Sequence, residues 1–242
     1  MCGRFLLTSP PEAVARVFGV EVRDNFPPRW NIAPTQPVAT IRVDDGKLIA
    51  ERRPRYALMR WGFIPSWAKA DHLLRLRSKP LINARAETAA EKPTFRAAWK
   101  RRRCLVPADG FYEWRRDESG RTPFRITPSE RFGNNGLVGF GALWETAHDP
   151  DGGEIDTVAI LTVAAGADVG ALHHREPVVI APHDYENWLM TEETSAGAMG
   201  EMVAPAPAGS WEIAEAPKDL NNARHEGSRL SGEKEQGELF RK

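Results

Sequence analysis

Residues 104–115 read Cys104-Leu105-Val106-Pro107-Ala108-Asp109-Gly110-Phe111-Tyr112-Glu113-Trp114-Arg115. The run predicts two short strands, Cys104 to Val106 and Gly110 to Arg115, with a break between them. The same texture continues downstream. Pro123 to Thr127, Leu137 to Trp144, Thr157 to Val163, Val178 to Ile180 and Trp211 to Ala214 all read as short strands. Upstream, residues 1–7 read as a strand, as does Leu58 to Phe63. Val38 to Val43 and Lys47 to Arg53 flank Asp44-Asp45-Gly46 as a hairpin. Helices are few and short. Ser9 is the expected N-cap of a helix through Ala13 to Phe18, with Pro10 and Pro11 in its first turn and Gly19 at its end. Pro93 to Arg103, Asp184 to Met190 and Thr191 to Met202 are further helical candidates. Residues 24–37 and 66–80 read as irregular. Many short strands without βαβ alternation predict an α+β fold: mostly antiparallel β, barrel-like, with a few short peripheral helices.

Composition narrows the function classes. The 242 residues allow one sizeable domain, and 41% hydrophobic content suits an ordinary core. The chain carries 33 basic and 33 acidic residues, so overall charge points to no polyanion and any nucleic-acid surface must come from local clustering. Two cysteines far apart argue against a disulfide scaffold or a metal site and fit a reducing compartment. No apolar run approaches membrane-spanning length and no signal-peptide core is present. The expectation is a cytoplasmic protein with no metal and no cofactor. The dense basic run Lys100-Arg101-Arg102-Arg103 reads equally well as a solvated helix end and as a phosphate contact. Residues 1–223 are expected to form a single domain. From about Arg224 the chain turns polar and charged, and a disordered tail is expected over 224–242.

Cys2 is the most reactive feature. Removal of Met1 leaves an α-amine and a thiol on adjacent carbons. A 1,2-aminothiol condenses with an aldehyde to a Schiff base, and the thiol then closes a thiazolidine ring. The amine has a reference pKa of about 7.7–8.0 and the thiol about 8.5, so both nucleophiles are partly available at neutral pH. Segments around Asn31, Asn83, Glu113 and His173 place polar or ionisable groups among apolar neighbours next to predicted strands. Taken singly, Glu113 could be an exposed residue between two core aromatics, His173 a satisfied structural histidine, and Asn83 a turn residue.

Six segments in order make the pattern specific: residues 1–5, 31–35, 61–67, 82–88, 110–114 and 173–177. With them the chain resembles the SRAP family (SOS response-associated peptidase) over residues 2 to about 230. The resemblance implies a sensor of abasic sites in single-stranded DNA. It makes Cys2 the residue that captures the opened sugar's aldehyde as a thiazolidine, a covalent crosslink that shields the lesion. It makes Asn83 the holder of Cys2 and of the opened sugar, Glu113 the proton acceptor for ring closure, and His173 the residue that moves protons during sugar opening. His174 is then the variable neighbour. Arg4, Arg85 and Arg175 match family arginines near the phosphates. Trp67 and Trp114 match aromatics on the DNA surface, where stacking one base is worth about 1–3 kcal/mol. Asn31 and Pro34 match the pocket rim.

The chain departs from the family pattern at two places. Residue 176 is Glu, which either weakens DNA binding at Arg175 or points away from it. Residues 68–80 are longer than in compact members and add His72, Arg75, Arg77 and Lys79, a candidate basic flap. The expected partner is abasic single-stranded DNA, met by a monomer. Gln236, Leu239 and Phe240 resemble the Gln-x-x-Leu-Phe peptides that dock on bacterial sliding clamps. Three rival readings stay open: a cysteine peptidase acting on itself or on others, a lyase acting through the Cys2 amine, and a noncatalytic DNA-binding module.

Overall fold

Strand β6 (Arg103–Ala108) is buried at every position, and β9 (Val138–His148) at its first eight. Such runs belong inside a sheet covered on both faces. The computed structural model describes residues 2–44, 53–118, 120–148, 153–190 and 196–231. In it β6 lies between β9 and β3 (Pro37–Arg42), and β3 pairs with β4 (Arg55–Trp61). β4 runs parallel to β10 (Glu154–Ala164), and β10 returns antiparallel to β9. The ring β10-β4-β3-β6-β9 therefore closes on itself as a five-stranded barrel. β11 (Arg175–Pro177) and β12 (Val179–Ile180) extend the wall on β10 and β9.

A second sheet packs beside the barrel. It holds β1 (Phe5–Leu7), β2 (Arg29–Ile32), β7 (Gly110–Asp117), β8 (Gly120–Pro128) and β13 (Trp211–Glu215), in the order β13-β8-β7-β1-β2. Aromatic edges join the two layers. Phe5 meets Trp61 at 5.2 Å between ring centroids, and Phe111 meets Phe140 at 6.1 Å. The turn between β6 and β7 requires glycine. Gly110 has φ 153°, and a Cβ there would sit 2.4 Å from the Ile126 carbonyl oxygen. The fold is thus mostly β with short helices, as the strand spacing predicts.

Several details differ from the sequence reading. The first helix, α1 (Pro11–Phe18), ends at Gly19 in the left-handed conformation as expected. Ser9 is not its cap: the Ser9 N–H and hydroxyl both bond the Asp109 carboxylate at 2.7 Å. The segment 24–37 contains β2, and 66–80 contains a helix, α2 (Ala70–Ser78). β3 pairs with β4, and of the expected hairpin strand 47–53, residues 47–52 lie outside the described residues. Two pairings are parallel, β4 with β10 and β5 (Asn83–Arg85) with β10. Helices α3 (Ala86–Ala89), α4 (Arg96–Arg101), α5 (Ala167–Gly170), α6 (Tyr185–Leu189) and α7 (Ala196–Met202) surround the sheets.

The packed body also runs past the expected 223/224 boundary. Leu230 is 3% exposed in a small cluster with Leu6, Tyr112, Ala216 and Leu220. Glu226 accepts the Trp30 N–H at 2.8 Å, and Asn31 Nδ2 donates to the carbonyls of Asn222 and His225. Residues 217–231 therefore form a strap across β1, β2 and β7. The clamp-like residues Gln236, Leu239 and Phe240 lie outside the described residues. No helix among the described residues is long and apolar enough to cross a membrane.

Candidate active site

β1 begins only at Phe5, opposite Phe111, while β7 runs on to Asp117. Gly3, Arg4, Glu113, Trp114, Arg116, Arg121 and His173 line a cleft of about 350 Å³ there. Four separate segments bring the expected residues together. Cys2 precedes β1 and is fully buried, with Sγ 3.8 Å from the Arg4 carbonyl oxygen. Its burial pushes the thiol pKa up, so the sulfur keeps its proton until a base removes it. Asn83, on β5, donates from Nδ2 to the Cys2 carbonyl at 2.8 Å. The register of β5 against β10, with Asn83 opposite Ile160, fixes that reach. Asn83 Oδ1 is buried without a hydrogen-bond partner among the described residues.

Glu113 is 4% exposed although it is ionisable, because strand alternation turns it away from Tyr112 and Trp114. Burial raises its pKa and makes it a stronger base than an ordinary carboxylate. Oε1 of Glu113 lies 3.9 Å from Nδ1 of His173. Burial lowers the His173 pKa, which favours the neutral ring. The Arg175 N–H donates to Nδ1 at 3.0 Å, placing the neutral ring's proton on Nε2. When Nδ1 is protonated, it can donate to the Arg175 carbonyl at 3.1 Å instead. The site thus accommodates both protonation states of one ring nitrogen. His174 is exposed, its ring tilted against that of His173 at 4.3 Å between centroids.

The other predicted residues divide. Arg4 donates to Asn31 Oδ1 at 2.7 Å and to the Leu220 carbonyl at 3.0 Å. Trp114 donates to Asn221 Oδ1 at 2.8 Å, with Arg121 4.4 Å above its ring. Asn31 is fully buried and ties down the strap, and neither it nor half-buried Pro34 lines the cleft. Arg85 is exposed on β5. Trp67, 54% exposed, lines a different groove of about 800 Å³ with Lys69, His72 and Arg75. Arg175 does not present its guanidinium to the cleft. That group grips Glu87 through two hydrogen bonds at 2.6 and 2.8 Å and also bonds the Thr162 carbonyl. Its contribution at the site is its backbone, which holds His173. Glu176 points away, accepting the N–H groups of Gly166 and Ala206. The sequence reading passed over Arg116 and Arg121. Their adjacency to the Glu113 strand was legible, but the cross-strand pairing that places both on the cleft was not.

The mostly β fold, with Cys2 buried next to cleft-lining Gly3, points to one class, and the chain belongs to the SRAP family: the family model described as SOS response associated peptidase matches residues 1–223. Among relatives, the abasic site processing protein YoqW of Bacillus subtilis is 31% identical over 95% of this chain and 98% of its own. YedK of Escherichia coli is 28% identical with the same coverage, and chicken HMCES is 32% identical over 61% of this chain and 49% of its own. Both are also named abasic site processing proteins. A crystal structure from Bacteroides thetaiotaomicron shares the fold at TM-score 0.78 and 20% identity, over 90% of this chain and 93% of that one. One from Bordetella bronchiseptica, 26% identical, gives 0.73 over 89% of this chain and all of the other.

Proposed function

We propose that this protein captures abasic sites in single-stranded DNA as a covalent thiazolidine through Cys2, after Met1 is removed. The observation that carries the reading is the hold on Cys2: its carbonyl is fixed by Asn83, with Glu113 and His173 paired at the adjacent cleft. The relatives' names give the substrate class.

The chemistry balances with these groups alone. The closed sugar of the lesion opens by breaking C1′–O4′. O4′ takes a proton from His173, and the C1′ hydroxyl returns one to the same ring. The Cys2 amine adds to the C1′ aldehyde, and water leaves with a proton supplied by His173 or protonated Glu113. Thiol sulfur then adds to the imine carbon while its proton passes to Glu113, which hands a proton on to the imine nitrogen as it becomes the ring N–H. One aldehyde, one amine and one thiol give one thiazolidine and one water. The unpartnered Oδ1 of Asn83 is an acceptor for a hydroxyl of the opened sugar. Proton transfer of this kind contributes about 10²–10⁴-fold to rate.

Intact-mass spectrometry of the purified chain, before and after incubation with an abasic single-stranded oligonucleotide, tests the proposal. The expected result is loss of the Met1 mass, then an adduct of protein plus DNA less one water. A processed chain that forms no adduct overturns the reading. A cut strand without an adduct makes the protein a lyase, and Cys2-dependent cleavage of an unrelated peptide makes it a peptidase.

A further inference from the structure

Arg175 is committed to Glu87, so the phosphate nearest the captured sugar must be met elsewhere. Two arginines on the β7–β8 hairpin line the same cleft as Glu113 and His173. Arg116 and Arg121 are directly opposed across the strands and both are exposed. Opposed residues of an antiparallel pair point to the same face, and like charges placed there are destabilising. No ion pair to either one is formed among the described residues. Arg121 instead lies over the Trp114 ring at 4.4 Å, and the Arg4 guanidinium is 5.8 Å from the same ring. Trp114 is itself fixed through its indole N–H to Asn221. The indole therefore acts as a rest that aims the Arg121 fork toward the cleft. Glu113, in the same cleft, feels the Arg121 charge, but no described carboxylate bonds either arginine, so the pair is suited to a ligand that brings further negative charge.

We propose that Arg116 and Arg121 together hold one backbone phosphate of the strand that carries the lesion. This rests on the DNA reading above and deepens it: the phosphate clamp lies on the β7–β8 hairpin, across the cleft from Arg175. Arginine's planar fork suits the task because it grips phosphate oxygens in pairs.

The test separates binding from capture. Full-length Cys2→Ala protein is titrated by fluorescence anisotropy with a single-stranded oligonucleotide bearing a tetrahydrofuran abasic analogue, which has no aldehyde. A set of such oligonucleotides each carries one uncharged methylphosphonate linkage. The expected result is one linkage near the lesion whose neutralisation weakens binding severalfold. Adding Arg116→Gln and Arg121→Gln should weaken binding to the charged strand, abolish the effect of that one linkage, and lower the log–log salt slope by about 0.7, the value for one phosphate on a single strand. The thermal midpoint of the double variant should equal or exceed its parent's, because a like-charge pair has been removed. An unchanged salt slope, an unchanged linkage profile or a lowered midpoint overturns the proposal. Capture is read separately with Cys2 intact and a true abasic strand. If no adduct forms there, the capture reading fails, while the linkage profile still judges the phosphate site.

Discussion

The two walls of the cleft are built on opposite principles. On one wall each functional group is fixed by a partner. Asn83 is bound to Cys2, His173 to the Arg175 backbone, and the Arg175 side chain to Glu87 and Thr162. The other wall, from Trp114 to Arg121, is an exposed hairpin surface with two opposed cations. Proton transfer needs groups held within hydrogen-bond reach, so the first wall is rigid by construction. A phosphate on a flexible strand can be met by long side chains that adjust, so the second wall tolerates exposure. Glu113 sits where the walls meet and carries the cost of both, being a buried carboxylate beside solvent.

Glu113→Gln should produce the largest effect. Adduct formation in rapid-quench gels should slow by about 10²-fold or more, since a general base is lost. The same change should stabilise the fold. The folded pKa of Glu113 is raised, so the penalty for burying its charge is absent below the unfolded value of about 4.3 and fully present above the folded value. The stability gap between variant and wild type should therefore widen as pH rises through that window. A gap constant with pH would place the carboxylate in a polar environment and erase the distinction between the walls.

Leu230→Ala should unseat the strap that supports the exposed wall through Leu220 and Asn221. Truncation of a buried leucine costs about 2–5 kcal/mol, and this small cluster should fall near the lower end. Hydrogen exchange should quicken in β1, β2 and β7 before it quickens in β5 and β10. Equal quickening in both regions would show that the walls are one cooperative unit.

Glu87→Gln should have the smallest effect, confined to acid. Its bonds to Arg175 hold the Glu87 pKa at about 2. The wild-type advantage is present above the unfolded value of about 4.3 and is lost as pH falls toward 2. The carboxylate is about half exposed, so solvent screening keeps the difference modest. Denaturant midpoints of the two proteins should differ at pH 6 and converge near pH 2. Midpoints that differ equally at both would mean that Arg175 is held by packing, not by charge.

The strands of the barrel were legible because buried β-sheet leaves apolar runs of strand length between breaks, as in 104–106 and 157–163. The C-terminus of α1 was legible because Gly19 adopts a conformation that other residues enter at a cost. Strand β2 was hidden by its proline- and asparagine-rich surroundings, and α2 by its many charges. The strap escaped notice because its hold consists of backbone carbonyls bound by Asn31 and one leucine in a charged stretch.

The sequence by itself places a cysteine at position 2, where removal of Met1 would expose an aminothiol. An aminothiol at position 2 has its reactivity in its own covalent structure, and no fold is needed to predict what it does to an aldehyde. It also determined most of the barrel's strands, because apolar runs and breaks are local properties. Tertiary structure alone decided which arginine is available. Arg175 and Glu87 are 88 residues apart, and their pairing depends on β11 and β5 both lying along β10. Arg116 and Arg121 face each other because of the β7–β8 register. A side chain's charge is written in the sequence, but whether that charge is already neutralised depends on what the fold places within a few ångströms of it.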